Sequence, residues 1–126
     1  MIGNKQGFSL ISTLIAVVIL AIGILALAKT SAGVVRAGAQ AASRTEAVSV
    51  ARGYMEEVRS RRPANLISEA AVACDREGVP NANGPYTRSV VVTDVSSNLK
   101  SVRVVVTMPN SSVPVELVTL AFVGAL

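Results

Sequence analysis

Residues 8–28, FSLISTLIAVVILAIGILALA, form a run of 21 residues without a charged side chain. No other feature constrains the chain as strongly. A helix rises ~1.5 Å per residue and a bilayer core is ~30 Å thick, so about 20 apolar residues span it. The run also exceeds the ~7–15 apolar residues usual in a cleaved secretory signal, although Ala26-Leu27-Ala28 offers a small-x-small cleavage pattern. The polar leader before it, residues 1–7, holds one charge, Lys5, and the next charge is Lys29. Residues 29–126 then lie on one side of the membrane. Basic residues flank the run on both sides, so the positive-inside rule is nearly silent. The simplest topology keeps the short basic leader in the cytoplasm and exports the rest.

Helical character is expected to continue beyond the membrane. Residues 29–62 contain no Pro and are rich in Ala, Arg, Glu, Gln and Met, all good helix formers. Ala47, Ala51, Tyr54, Met55 and Val58 recur at spacings of three and four, which makes one apolar face. Arg52–Glu56 and Glu57–Arg61 are expected i,i+4 pairs on the other side. Arg59, Arg61 and Arg62 place positive charge at the end the helix dipole favours, and Pro63 stops the run. A continuous helix over residues 8–62 has 55 residues and a length of roughly 80 Å. Its expected weak point is TSAGVVRAG at residues 30–38.

Beyond Pro63 the pattern changes. Residues 64–73 are Ala-rich and predict a short helix with Asn65 as cap. Residues 74–85, CDREGVPNANGP, predict a loop with an Asn83-Gly84 turn. Residues 88–95, 100–107 and 113–123 read as three strands joined by short turns, with Val102, Val104 and Val106 on one face and Arg103 on the other. An antiparallel meander has one face to bury, and the amphipathic helix is the large apolar surface that covers it. The fold class is therefore α+β: a long amino-terminal helix whose distal half packs on a small antiparallel sheet of about three strands. The organisation is a leader (1–7), a membrane helix (8–28), an amphipathic helix (29–62), and a loop-and-sheet region (63–126) joined to 29–62 as one globular domain.

The chain is poor in catalytic groups. It has no His, one Cys and four aromatic residues. The commonest general base and metal ligand is missing, no Cys cluster can hold zinc, and no aromatic platform is available to stack bases. Glu56 and Glu57 point to different sides of a helix and make a poor acid–base pair. No catalytic set, metal or cofactor is read. Cys74, alone, is expected as a small, partly buried side chain, with a free thiol or a bridge between chains as alternatives. Residues 29–126 carry 11 basic and 8 acidic side chains. DNA is a weakly supported partner of the Arg59, Arg61 and Arg62 cluster, which helix-end charge compensation explains more simply.

The amino terminus adds more than hydropathy. KQGFSLISTLIAVVILAIGILALA resembles the class III signal of type IV pilins and pseudopilins: a short basic leader ending in Gly, then Phe, then a Ser/Thr-Leu-Ile/Leu start to a long helix. Lys5, Gly7, Phe8, Ser9, Leu10 and Ile11 match position by position. The following AVVILAIGILALA is most similar to PilV-type minor pilins, and next to GspI-type minor pseudopilins. The resemblance implies cleavage after Gly7 by a prepilin peptidase and N-methylation of Phe8. Gly suits such a site because no Cβ blocks close approach of the enzyme. It further implies anchoring in the bacterial inner membrane with the carboxyl-terminal domain exported. From there, delivery to the inner-membrane assembly platform carries the subunit into a periplasmic or extracellular filament. There the amino-terminal helix leaves lipid and packs against other pilins.

One departure is Ser12, which stands where the family usually has Glu, the fifth residue after the cut. In the family that Glu is thought to neutralise the amino terminus of a neighbouring subunit. A membrane carboxylate needs such a partner, and Ser12 cannot supply the charge. Two readings stay open: polar side chains at Ser12 and Thr13 satisfied by their own helix, or a priming, tip or low-copy subunit. Three function classes follow: a minor filament subunit for motility, adhesion or DNA uptake, with a minor pseudopilin of type II secretion as alternative; a DNA- or surface-binding module on such a filament; and a membrane-anchored enzyme, for which no site is visible.

Overall fold

The computed structural model describes Gly7 and residues 9–124. The chain divides into two compact units after Gly38. One helix, α1 (Leu10–Ser60), carries helical structure through the division. Ser9 caps its start: the Ile11 N–H donates to Ser9 Oγ at 3.3 Å and the Thr13 N–H to the Ser9 carbonyl at 3.2 Å. The expected weak point at residues 30–38 is helical throughout. No Pro interrupts it, and the Thr30 hydroxyl bonds back to the Ala26 carbonyl at 3.0 Å. The helix ends at Ser60, two residues short of the expected Arg62. Pro63 sets that limit by forcing Arg62 into an extended conformation, φ −62° and ψ 130°.

In the second unit the distal part of α1 buries Ala47, Val50, Ala51, Tyr54, Met55 and Val58. These include all five positions of the expected apolar face. They pack on a four-stranded antiparallel sheet: β1 (Glu69–Cys74), β2 (Tyr86–Ser96), β3 (Leu99–Met108) and β4 (Ser111–Phe122), in the order β1-β2-β3-β4. The inner face is mostly valine. Val90, Val102, Val104, Val106 and Val115 are buried, with Tyr86, Met108 and Cys74 at the ends. Arg103 faces outward as the alternation requires. The outer face leaves Val91, Val95, Val118, Leu120 and Phe122 exposed.

The sheet has four strands where the sequence predicts about three, because residues 64–73 do not form the expected helix. Pro63–Asn65 make one 3-10 turn, in which the Asn65 N–H donates to the Arg62 carbonyl at 2.9 Å. Asn65 therefore closes a turn and caps nothing. Glu69–Cys74 then pair with β2, from Glu69 opposite Val90 to Cys74 opposite Tyr86, with an irregularity between Glu69 and Val72. Alanine favours helix by well under ~1 kcal/mol per residue. A strand ladder and a fully buried Cys74 outweigh it.

The β1–β2 connection holds two glycines with different tasks. Gly78 has φ +82° and closes a turn in which its N–H donates to the Asp75 carbonyl at 3.1 Å. Asp75 Oδ1 also accepts from the N–H groups of Glu77 and Val79, at 3.1 and 2.8 Å. Gly84 lies so close to the Cys74 carbonyl that a Cβ would overlap it. Gly53, inside α1, has open space around it. We predict opposite effects of alanine. Gly84→Ala should lower stability by more than about 1 kcal/mol, whereas Gly53→Ala should raise it by ~0.5–1 kcal/mol. Equilibrium unfolding of the two variants beside the native chain checks both signs.

Candidate functional site

The first functional surface is the proximal part of α1. Its large aliphatic side chains, from Leu10 to Val35, are between 49% and 84% exposed. Burying one such side chain is worth ~1.5–3 kcal/mol. Leaving this many in water costs on the order of tens of kcal/mol, so the surface requires lipid or protein cover. This helix is long and apolar enough to cross a membrane. Gly7 is exposed at its start, with nothing within 4 Å of where a Cβ would stand. Lys5 and Phe8 lie outside the described residues. Ser12 is exposed in the first turns of the helix.

The distal end of α1 carries the arginine cluster, and the structure does not present it as one basic patch. Arg61 bonds to Glu57 at 3.1 Å and also to Glu69 on β1. Arg59 lies 3.7 Å from Glu56, which replaces the expected Arg52–Glu56 pair. Arg62 is exposed. Glu56 and Glu57 thus serve different arginines. Compensated charge of this kind offers a nucleic acid little counterion release.

Several polar anchors escape a reading of the sequence because their partners are remote in the chain. The Tyr54 hydroxyl donates to Glu69, 15 residues away. Over the Tyr54 ring lies the Arg88 guanidinium, 3.8 Å from the centroid. The Arg88 side chain is only 13% exposed and reaches Glu57 at 3.8 Å. Across the domain, the Tyr86 hydroxyl donates to Glu46 at 2.6 Å, and Arg76 faces the same carboxylate at 3.5 Å. The signal present in the sequence is two tyrosines in apolar strips, since a buried Tyr hydroxyl needs a partner. Cys74 is wholly buried, not partly so. No cluster of three His, Cys, Asp or Glu side chains that could hold a metal occurs among the described residues.

The exposed helix, opening at a Gly-Phe junction, is the decisive feature. Residues 2–28 match the family model of the prokaryotic N-terminal methylation motif. That motif is the prepilin signal of type IV pilins, and it supports a type IV pilin- or pseudopilin-like structural subunit. Assembly with other pilins and processing by prepilin peptidase follow from it in general form. Comparison with curated proteins and with solved structures returned no match. The helix-on-sheet architecture is pilin-like as well.

Two groups of the domain titrate in the alkaline range. Burial pushes the Cys74 thiol up, partly offset by the charge of Arg88. Burial and then the hydrogen bond to Glu46 push the Tyr86 phenol up. Both are neutral in the fold and ionise more readily in the unfolded chain. Their contribution is therefore complete below the ordinary thiol and phenol ranges and is lost as pH rises through the raised values. The melting temperature should hold near neutrality and fall from about pH 9 upward. In Tyr86→Phe and Cys74→Ala the alkaline fall should be shallower, as thermal melts across pH 7–11 would register.

Proposed function

We propose that this chain is a minor subunit of a type IV filament, made as a prepilin and matured by cleavage between Gly7 and Phe8. Residues 1–7 act as the leader, with Lys5 as its one charged side chain, and stay on the cytoplasmic side. Residues 8–28 anchor the subunit in the inner membrane and later lie in the filament core. Residues 29–62 and 63–126 form the exported domain. The observation that carries this reading is the methylation motif over residues 2–28, joined to a helix with its aliphatic surface uncovered.

The physical logic is an exchange of one apolar environment for another. In lipid the exposed side chains of proximal α1 contact acyl chains; in a filament they contact the same side chains of neighbouring helices. The hydrophobic gain is similar in both, so transfer is near balanced and packing decides the direction. Cleavage after Gly7 frees an amino group at the head of that helix. The usual Glu partner for such a group is absent, since Ser12 occupies its position. A subunit that brings no carboxylate suits a priming, tip or low-copy place better than a repeating shaft.

Intact mass and amino-terminal sequencing of the protein from its native membrane test the pathway. An N-methylated Phe8 terminus is expected. A chain beginning at Met1 or near Lys29 would refute it, in favour of a plain anchor or ordinary secretion. Gly7→Leu should leave the precursor uncut and absent from filaments. Ser12→Glu should keep or increase incorporation into the shaft, as measured by immunoblot of sheared filaments. A strong loss of filaments in that variant would instead place an apolar or acidic neighbour at the site.

A further inference from the structure

Where the distal helix meets the β3–β4 turn there is a cavity of about 210 Å³, lined by Gln40, Ser43 and Arg44 on α1 and by Met108, Asn110 and Ser111 on the sheet side. It is far larger than the ~10–15 Å³ that one water needs. Its lining has a marked chemical bias. Gln40, Ser43, Arg44, Asn110 and Ser111 all offer hydrogen-bond donors, one of them a guanidinium, and no carboxylate lines the wall. Met108, buried, lies beneath them.

Three of these donors are not used up inside the domain. Among the described residues, the side chains of Gln40, Arg44 and Asn110 have no hydrogen-bond or ion-pair partner. The contrast with the other end of α1 is direct, where Arg61 engages both Glu57 and Glu69. The nearest acid on the helix, Glu46, is already committed to Tyr86 and Arg76. Ser111 is committed to Val113: its hydroxyl donates to the Val113 carbonyl and accepts from the Val113 N–H, each at 3.2 Å. The Ser43 hydroxyl serves Tyr86, so the free donors of the cavity are the amides of Gln40 and Asn110 beside one cation, Arg44.

We infer that this cavity receives a carboxylate, the Asp or Glu side chain of an adjacent subunit, and that Arg44 binds it. A planar guanidinium donates to both oxygens of a carboxylate at once, and the amides of Gln40 and Asn110 supply donors beside it. A single cation matches one carboxylate. It does not match a nucleic-acid backbone, whose binding draws on several phosphates and several cations together. The inference rests on the filament reading above for the source of the partner, but the chemistry of the cavity is testable without it.

The test uses the full chain in detergent micelles, with acetate, inorganic phosphate and chloride as probes at constant ionic strength. Nuclear magnetic resonance follows the Arg44 Nε–H and the Asn110 side-chain amide. Acetate should shift both signals saturably, and chloride should shift neither. The acetate affinity should fall at least ten-fold in Arg44→Gln and measurably in Asn110→Ala. Arg44 is exposed, so its replacement leaves the core intact. A response to phosphate alone would overturn the carboxylate assignment in favour of a phosphodiester. Equal shifts at Arg52 or Arg62 would overturn it as general charge attraction. In cells, Arg44→Glu should reduce filament incorporation while Phe8 maturation proceeds, so loss of this site and failure of the pilin pathway give different results.

Discussion

The domain depends on one contact: a six-residue strip of α1 covering the valine face of the sheet. Ala47 and Ala51 are fully buried, and their small side chains let the helix come close. Val50, Tyr54 and Val58 then fill the space above Val90, Val102, Val104 and Val106. A sheet with one valine face and no such cover would leave that face in water. The polar contacts refine this packing. Tyr54 and Tyr86 bury their rings and carry their hydroxyls to Glu69 and Glu46, so the two ends of the strip are tied to the sheet side and to the helix.

Much of this architecture is legible in the sequence. The i, i+3, i+4 spacing from Ala47 to Val58 marks the buried face, and the alternation in KSVRVVVT marks β3. Both are short-range patterns imposed by the period of the element. Strand β1 is not legible. EAAVAC reads as helix on local preference, and its fate is decided by β2 at the sheet edge. The ion pairs follow the same rule. Glu57–Arg61 lies within one helical turn and is readable; Arg61–Glu69 and Arg88 over Tyr54 need the chain folded first. Of the proposed site, the Gly7-Phe8 junction is legible, as local sequence marks a processing signal. The donor cavity is not, because Arg44 and Asn110 come together only across the fold.

A single helix serves two solvents. Residues 10–35 expose every large aliphatic side chain, whereas residues 47–58 bury theirs against the sheet. Between them the sequence turns to Gly, Ser, Thr, Gln and Ala with three charged side chains, Arg36, Arg44 and Glu46, none of which needs lipid or core. These residues are helical all the same. Composition therefore changes the environment of the helix without changing its secondary structure. The backbone bonds remain satisfied within the helix at every point, which an apolar setting demands.

That property gives Ser12 its meaning in the proposed assembly. A Glu at this position would be costly in lipid until a cationic partner arrived, so it would reward entry beside a neighbour and penalise waiting alone. A serine imposes neither term. Its hydroxyl can turn back to its own helix, and it bonds between helices with modest energy. Insertion of this subunit is then governed by shape and apolar packing along α1, and by contacts of the exported domain. The selectivity lost at the head of the helix has to be recovered elsewhere. The cavity where Gln40 and Asn110 stand unpaired beside Arg44 is one place where the domain retains the polar specificity that its helix start lacks.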